Sequence, residues 1–350
     1  MTSDGAVAKP DQMRRRRGLF GWVRPILLAS LILVVALAGV GLIYQWIATR
    51  SDHHAFPPPG QLVDIGGYQL HVNCVSEGSP TVILDASGGN SSANWGLVQP
   101  DVARSTRVCA YDRAGMGWSD RGPTPRDANQ QVRELHALLT EARIEGPYVL
   151  VGHSYGARIA RVYAKEYSRE VDGMVLIDPG TLDDDPRFPQ ERRDELKKEQ
   201  RTVTLARWLA PFGVVRLLQK PSDYGDVPSQ HAAAEDSFTL TAKYFQAIQD
   251  QFRAMPNTLR QERQVISLGS IPLIVVSAAL PDDETRRVWN EINGELAKLS
   301  TNSVHRLVQG AEHQDLVRKP EHAEVTMDAI QEVVQAARTG QQLQGSTIDR

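Results

Sequence analysis

Residues 149–160 read VLVGHSYGARIA. Val149, Leu150 and Val151 form a short apolar, β-branched run of the kind that fills buried parallel strands. From Ala157 to Tyr167 the small and apolar residues Ala157, Ala160, Val162, Tyr163, Ala164 and Tyr167 recur at helical spacing. A strand that turns at once into a helix needs a tight bend, and Gly152 and Gly156 remove the side chains that would collide there. The residue at the apex, Ser154, is lifted off the sheet beside the free N–H groups of a helix N-terminus.

This is the G-x-S-x-G nucleophile elbow, with the strand before it and the helix after it that the motif requires. The 350-residue chain is long enough for one large α/β domain with additions. A net charge of −3 gives no reason to expect nucleic acid as a partner. The sequence shows no internal repeat, Cys/His metal cluster or phosphate-cradling glycine loop, so neither a metal nor a cofactor is expected. Oligomeric state is not legible.

Residues 1–24 are basic, with Lys9, Arg14 to Arg17 and Arg24. Residues 25–48 carry no charge, enough to cross a bilayer as a helix. Trp22, Tyr44 and Trp46 lie near the ends, as interfacial aromatics do. Only Arg50, accompanied by Asp52, follows closely. The charge bias predicts a single-pass cell-membrane anchor with its N-terminal side cytoplasmic and everything after Arg50 outside. A cleaved signal is the competing reading, since Ala36-Leu37-Ala38 resembles a cleavage site, although the apolar run continues past it. Both readings export the domain. Residues 49–60 read as a linker made semi-rigid by Pro57 to Pro59, in which His53 and His54 are solvated.

Beyond the linker, residues 61–339 read as one domain. QLVDIGGYQLHVNCV is a hairpin turning at Gly66-Gly67. TVILDA, TRVCAYD, YVLVG, VDGMVLIDPG, IPLIVVSA and SVHRLV are further strands, and helices such as the amphipathic 127–144 segment alternate with them. That alternation predicts a mostly parallel sheet with helices on both faces. Residues 340–350 read as a disordered tail.

The elbow GHSYG, the YDRAGMGWSD block after the fourth strand and the late GAEH together resemble the α/β-hydrolase fold superfamily, over about 61–337. The resemblance implies a Ser–acid–His triad in that chain order. His313, in the loop after the last strand, matches the family's base; His153 adjoins Ser154, but neighbouring side chains at an elbow point apart, and His71, His136, His305 and His322 are expected to be structural. The acid has two candidates. Asp178 ends an apolar strand, at the carboxyl edge where catalytic groups gather. Asp282, with Asp283 beside it, follows the later strand but lacks the glycine of the family pattern, so Asp178 is preferred. Asp183 to Asp185 read as solvated. The oxyanion hole is expected from the N–H of Tyr155 and of Ser87, with Gly88 as the alternative second donor because the family's usual His-Gly is replaced by Asp85-Ala86.

The insertion at about 180–268 matches a helical cap, interrupted at Pro211, Pro221, Pro228 and Pro256. Trp208, Phe212, Leu217, Phe238, Tyr244 and Phe245 either line an acyl pocket or hold the cap on the core. In the family's sheet the strands bearing Cys74 and Cys109 are neighbours, which leaves a disulfide and two buried thiols both open. The expected function is hydrolysis of carboxylic esters of small molecules through an acyl-enzyme. Serine at the elbow argues against dehalogenase and epoxide hydrolase chemistry, for which relatives use aspartate. The alternatives are an aminopeptidase or amidase, with Glu235, Asp236 or Asp250 holding the substrate amine, and a non-catalytic scaffold.

Overall fold

The computed structural model describes residues 20–179, 187–220, 222–280 and 284–344. Asp282, Asp283 and Asp183 to Asp185 lie outside them.

Eight strands form one sheet: β1 (Gln61–Asp64), β2 (Gln69–Val75), β3 (Thr81–Asp85), β4 (Val108–Tyr111), β5 (Tyr148–His153), β6 (Val171–Ile177), β7 (Leu273–Ala279) and β8 (Ser303–Gln309). Their order is β1-β2-β4-β3-β5-β6-β7-β8. β1–β2 and β2–β4 are antiparallel, and every pair from β4 to β8 is parallel. The hairpin turns as expected: Gly66 and Gly67 adopt φ of +108° and +106°, and Asp64 Oδ1 accepts both their N–H groups at 2.8 Å.

Eleven α-helices complete the described fold: α1 (Phe20–Ala55), α2 (Val98–Val102), α3 (Ala128–Glu141), α4 (Tyr155–Glu166), α5 (Gln190–Leu209), α6 (Val214–Leu218), α7 (Ser229–Thr239), α8 (Ala242–Glu262), α9 (Glu284–Ala297), α10 (Asp315–Arg318) and α11 (Pro320–Thr339). Residues alternate across the sheet with period two. Leu150, Met174, Leu176 and Val275 pack with Leu135 and Leu138 of α3 and Ile159 and Tyr163 of α4. Val149, Val151, Val175 and Ile177 pack on the other side with Ile330 and Val333 of α11. Strands β3 to β7 are buried on both faces, which is why they read as apolar runs, whereas β1 and β8 are partly exposed.

Cys74 and Cys109 are register partners on β2 and β4 and are joined by a disulfide. Closing a loop across 35 residues removes unfolded-chain freedom worth about 3–4 kcal/mol in the entropic account.

α1 is helical through Ala55, further than the apolar segment, because no helix breaker intervenes before Pro57. Phe56 to Pro59 then lie along the core. Trp118 Nε1 donates to the Phe56 carbonyl at 2.9 Å, and His71 Nε2 meets the Pro59 carbonyl. Leu343, inside the segment expected to be a tail, packs on the core and donates its N–H to Asn302 Oδ1 at 2.8 Å.

The cap is α5 to α8, between β6 and β7. Pro228 stands just before α7, a break as expected, and Pro221 lies outside the described residues, but Pro256 does not interrupt: α8 runs through it. Tertiary anchors on both sides outweigh the lost bond. Ala247 and Ile248 pack on Met116 before Pro256, and Glu262 after it reaches Arg158 and Arg161 of α4 at 2.7 Å.

Candidate active site

Ser154 sits between β5 and α4 with φ +53° and ψ −111°, a strained conformation for a residue with a side chain. The flanking glycines are sterically required. A Cβ on Gly152 would lie 2.4 Å from the Ala157 nitrogen, and one on Gly156 2.3 Å from the Asp85 carbonyl oxygen. The Ser154 N–H donates to Ile177 O at 2.9 Å, tying the bend to β6. Tyr155 opens α4, so its N–H has no acceptor within the helix. Its ring is buried under Arg113, and its hydroxyl accepts from Gln131 at 2.8 Å.

Asp178 follows β6 directly, is fully buried and has φ +39°. Its Oδ2 lies 2.6 Å from His313 Nδ1. A carboxylate can only accept, so Nδ1 carries a proton, the arrangement that in a neutral imidazole leaves the lone pair on Nε2. Ser154, Tyr155, Ser87, Gly88 and His313 line one cavity of about 450 Å³.

Several residues that shape this arrangement escaped the sequence. Arg286 of α9 donates to the same Oδ2 of Asp178 at 2.7 Å, stacks over Trp289, and Trp289 in turn meets the His313 ring edge-on. Asn293 Nδ2 reaches Asp178 Oδ1 at 3.4 Å. His153, set aside as the base from sequence, is fully buried and donates Nε2–H to the His313 carbonyl at 3.0 Å. Burial, then the neighbouring His313 and Arg318, hold its imidazole well below the usual range, so it stays neutral. It therefore positions the loop that carries His313.

Arg113, from the YDRAGMGWSD block, is buried beneath the loop after β3. It pairs with Asp85 and donates to the carbonyls of Ala86 at 2.6 Å and Ser87 at 2.5 Å. A trans peptide points its N–H opposite its C=O. Pinning these two carbonyls therefore turns the N–H groups of Ser87 and Gly88 away from Arg113.

The cap supplies Val203, Tyr244, Phe245, Ile248, Phe252 and Met255 to the cavity wall. Of the six cap residues for which lining and packing were both open, Tyr244 and Phe245 line the cavity. Phe238 instead meets Trp118 edge-on, and Trp208, Phe212 and Leu217 point outward. The proposed amine-binding carboxylates do not line the cavity either. Glu235 is buried and accepts from Asn90 Nδ2 and the Ser91 N–H at 2.9 Å and from the Ser91 hydroxyl. Asp250 accepts from Gln246, and Asp236 accepts the Ser222 N–H. Of the remaining histidines, His305 bonds Ser277 at 2.9 Å and His136 Glu170 at 3.2 Å. His71 meets Asp112 at 3.0 Å, and His322 lies 3.7 Å from Asp315.

A family model described as the alpha/beta hydrolase fold matches residues 80–315. An uncharacterised protein, YqjL, of Bacillus subtilis is 40% identical over 103 residues, 29% of this chain and 41% of that protein. The chain thus spans less than half the length of the curated relatives it first matches. A putative lipase structure from Acinetobacter baumannii superposes with a TM-score of 0.64 at 18% identity, covering 85% of this chain and 97% of its own. The haloalkane dehalogenase DbeA from Bradyrhizobium elkani gives 0.63 at 16% identity, covering 80% and 99%. At those identities the structures speak to the fold alone. Sheet order, elbow and family match agree: the chain belongs to the alpha/beta hydrolase family.

Proposed function

We propose that this hydrolase is a serine esterase, cleaving carboxylic esters of small molecules through an acyl-enzyme, and held by α1 at the outer side of the cell membrane. One observation carries the reading: a strained elbow serine shares its cavity with a histidine whose far nitrogen is bonded to a buried carboxylate.

Ser154 Oγ attacks the ester carbonyl carbon while His313 Nε2 takes its proton. Asp178 holds the tautomer and stabilises the imidazolium, with Arg286 and Asn293 steadying the carboxylate. The N–H of Tyr155 and that of Ser87 receive the oxyanion. His313 returns the proton to the departing alkoxide, whose loss leaves Ser154 acylated. Water, deprotonated by His313, then attacks the acyl carbon and frees Ser154. Apolar Val203, Phe245, Ile248, Phe252 and Met255 give the acyl chain a wall.

Fluorophosphonate labelling of the full chain is the test. The wild type is expected to label and S154A is not, while both keep the same melting temperature; undiminished labelling of S154A would remove Ser154 as nucleophile. Turnover of p-nitrophenyl esters should exceed that of aminoacyl-arylamides, and the reverse ranking would favour the amidase reading. An alkaline phosphatase fusion after Leu343 should be active, because the domain is placed outside; a silent fusion at normal expression overturns the orientation.

A further inference from the structure

The cap carries a large apolar face away from the cavity. Leu205 and Trp208 of α5 and Leu217 and Leu218 of α6 are 60%, 65%, 71% and 75% exposed, with Phe212 between the two helices. Such a patch on a domain surface marks a contact. What covers it follows from where α1 docks.

α1 presses against this corner of the cap. A Cβ on Gly41 would fall 2.4 Å from the Phe212 carbonyl oxygen, and one on Gly213 would fall 2.6 Å from Tyr44 Cδ1. Gln45 is buried at the junction and donates to the Leu240 carbonyl at 3.0 Å. Past the apolar segment, Asp52 of α1 pairs with Arg216 of α6 at 2.7 Å. These contacts fix the cap against a particular level of the helix.

That level is inside the apolar segment. Gly41 precedes its last residue, Ala48, by about 10 Å of helix rise. The segment from Pro25 is about 36 Å long as a helix, against a hydrocarbon core of about 30 Å. Even with the whole excess at this end, Gly41 stays about 4 Å below the boundary. Phe212, touching Gly41, sits at the same depth, within the roughly 5–10 Å reached by helices lying in a membrane surface. The polar demands of that depth are met locally: Gly213 N–H donates to Ala210 O at 3.0 Å and Leu217 N–H to Gly213 O at 3.1 Å.

Resting on the reading of α1 as a membrane span, we propose that the face formed by Leu205, Trp208, Phe212, Leu217 and Leu218 seats the cap in the outer surface of the bilayer. Its occupant is lipid. α5 carries both the seat and, a few residues earlier, Glu199 and Val203 of the cavity wall. The cavity is thereby held against the membrane, and the substrate class is an ester of an amphiphile that partitions there.

Depth-resolved quenching tests the seat. Single cysteines A36C, L217C, L218C and R104C are introduced separately into the full chain and labelled with an environment-sensitive fluorophore; the two native cysteines are bonded to each other and do not compete. Each protein is reconstituted into phosphatidylcholine–phosphatidylglycerol vesicles containing doxyl-labelled lipid. The expected result is at least about twofold quenching at Ala36, Leu217 and Leu218 and none at Arg104, which faces water. Quenching at Ala36 with Leu217 and Leu218 behaving like Arg104 overturns the seat and leaves the anchor standing. No quenching at Ala36, or its loss by cleavage, removes the anchor and the seat with it.

Discussion

The carboxyl edge of the sheet and the outer face of the cap are built on opposite terms. At the sheet edge, Asp178 and Arg113 are each held by several partners, the backbone of Ser154 is tied to Ile177 and Ala157, and two glycines are required because backbone passes within van der Waals distance. On the cap, α5 and α6 contain no buried residue. The cap is tied down instead through its inner helices: Glu262 to two arginines of α4, Glu235 to the loop after β3, and Lys243 to the carbonyls of Gly117 and Ser119 at 2.7 and 3.0 Å. Geometry that must be accurate is over-determined from within. The outer apolar side chains Leu205, Trp208, Leu217 and Leu218 are left exposed, while polar neighbours such as Arg207, Thr204 and Arg216 tie α5 and α6 to Gln249 and Asp52.

The sharpest way to break this contrast is at the carboxylate under His313. D178N is expected to lower kcat by about 10⁴ with little change in KM, because the imidazolium it stabilises exists only in the transition state. D282N and D283N are expected to be mild. Ester kinetics of the three variants decide it, and a crippled D282N with a near-normal D178N would move the acid to the later loop.

The tie between cap and core comes next. E262A leaves two guanidinium groups buried without their carboxylate. The expected cost is about 3–5 kcal/mol, measured by urea unfolding of the purified protein in detergent. A loss below one unit on that scale would mean the cap is not held by this pair.

A smaller effect is expected from pH. Burial opposes a charge on His71, but Asp112 beside it outweighs burial and holds its imidazolium above the usual range. Burial likewise opposes the Asp112 carboxylate, and His71 with the N–H groups of Ser92 and Trp118 holds its pKa down. A raised histidine stabilises fully below its unfolded value of about 6.5 and loses that contribution as pH rises through the folded value. The lowered Asp112 works in the other direction, contributing above about 3.9 and losing its effect as pH falls through its folded value. Stability is therefore expected to decline as pH rises through the folded value of His71. H71Q should lack that decline; an unchanged slope in H71Q would assign it to another group.

The smallest effect is reserved for the outer face. W208S in detergent is expected to change unfolding stability by no more than about 0.5 kcal/mol, as surface substitutions do. A cost comparable to that of E262A would show that Trp208 is part of the fold's interior and would end the contrast.

The strands, the hairpin, the amphipathic α3 and the elbow were legible because each is written in local terms: short apolar runs, helical periodicity, glycine pairs and turn residues. The cap was less so. Pro256 reads as a breaker, yet α8 passes through it, since packing on either side supplies what the backbone loses. Trp208, Phe212 and Leu217 could be listed as apolar but not aimed, because a helix's facing depends on what it meets. Arg286 carries no local signal and acquires its place only when α9 packs on β7 and β8 and so brings it to Asp178 after β6.

The sequence by itself determined the family, the sheet's composition and the order in which serine, acid and histidine candidates occur along the chain. Short-range sterics and hydrophobic periodicity suffice for the strands and the elbow, and the resemblance of the elbow, YDRAGMGWSD and GAEH motifs supplies the family and the triad order. Only the tertiary structure decided that Asp178 reaches His313, that Cys74 faces Cys109 across β2 and β4, and that α1 docks on the cap at Gly41. Each of these joins residues far apart in the chain, and their meeting depends on strand register and helix packing that no local pattern encodes.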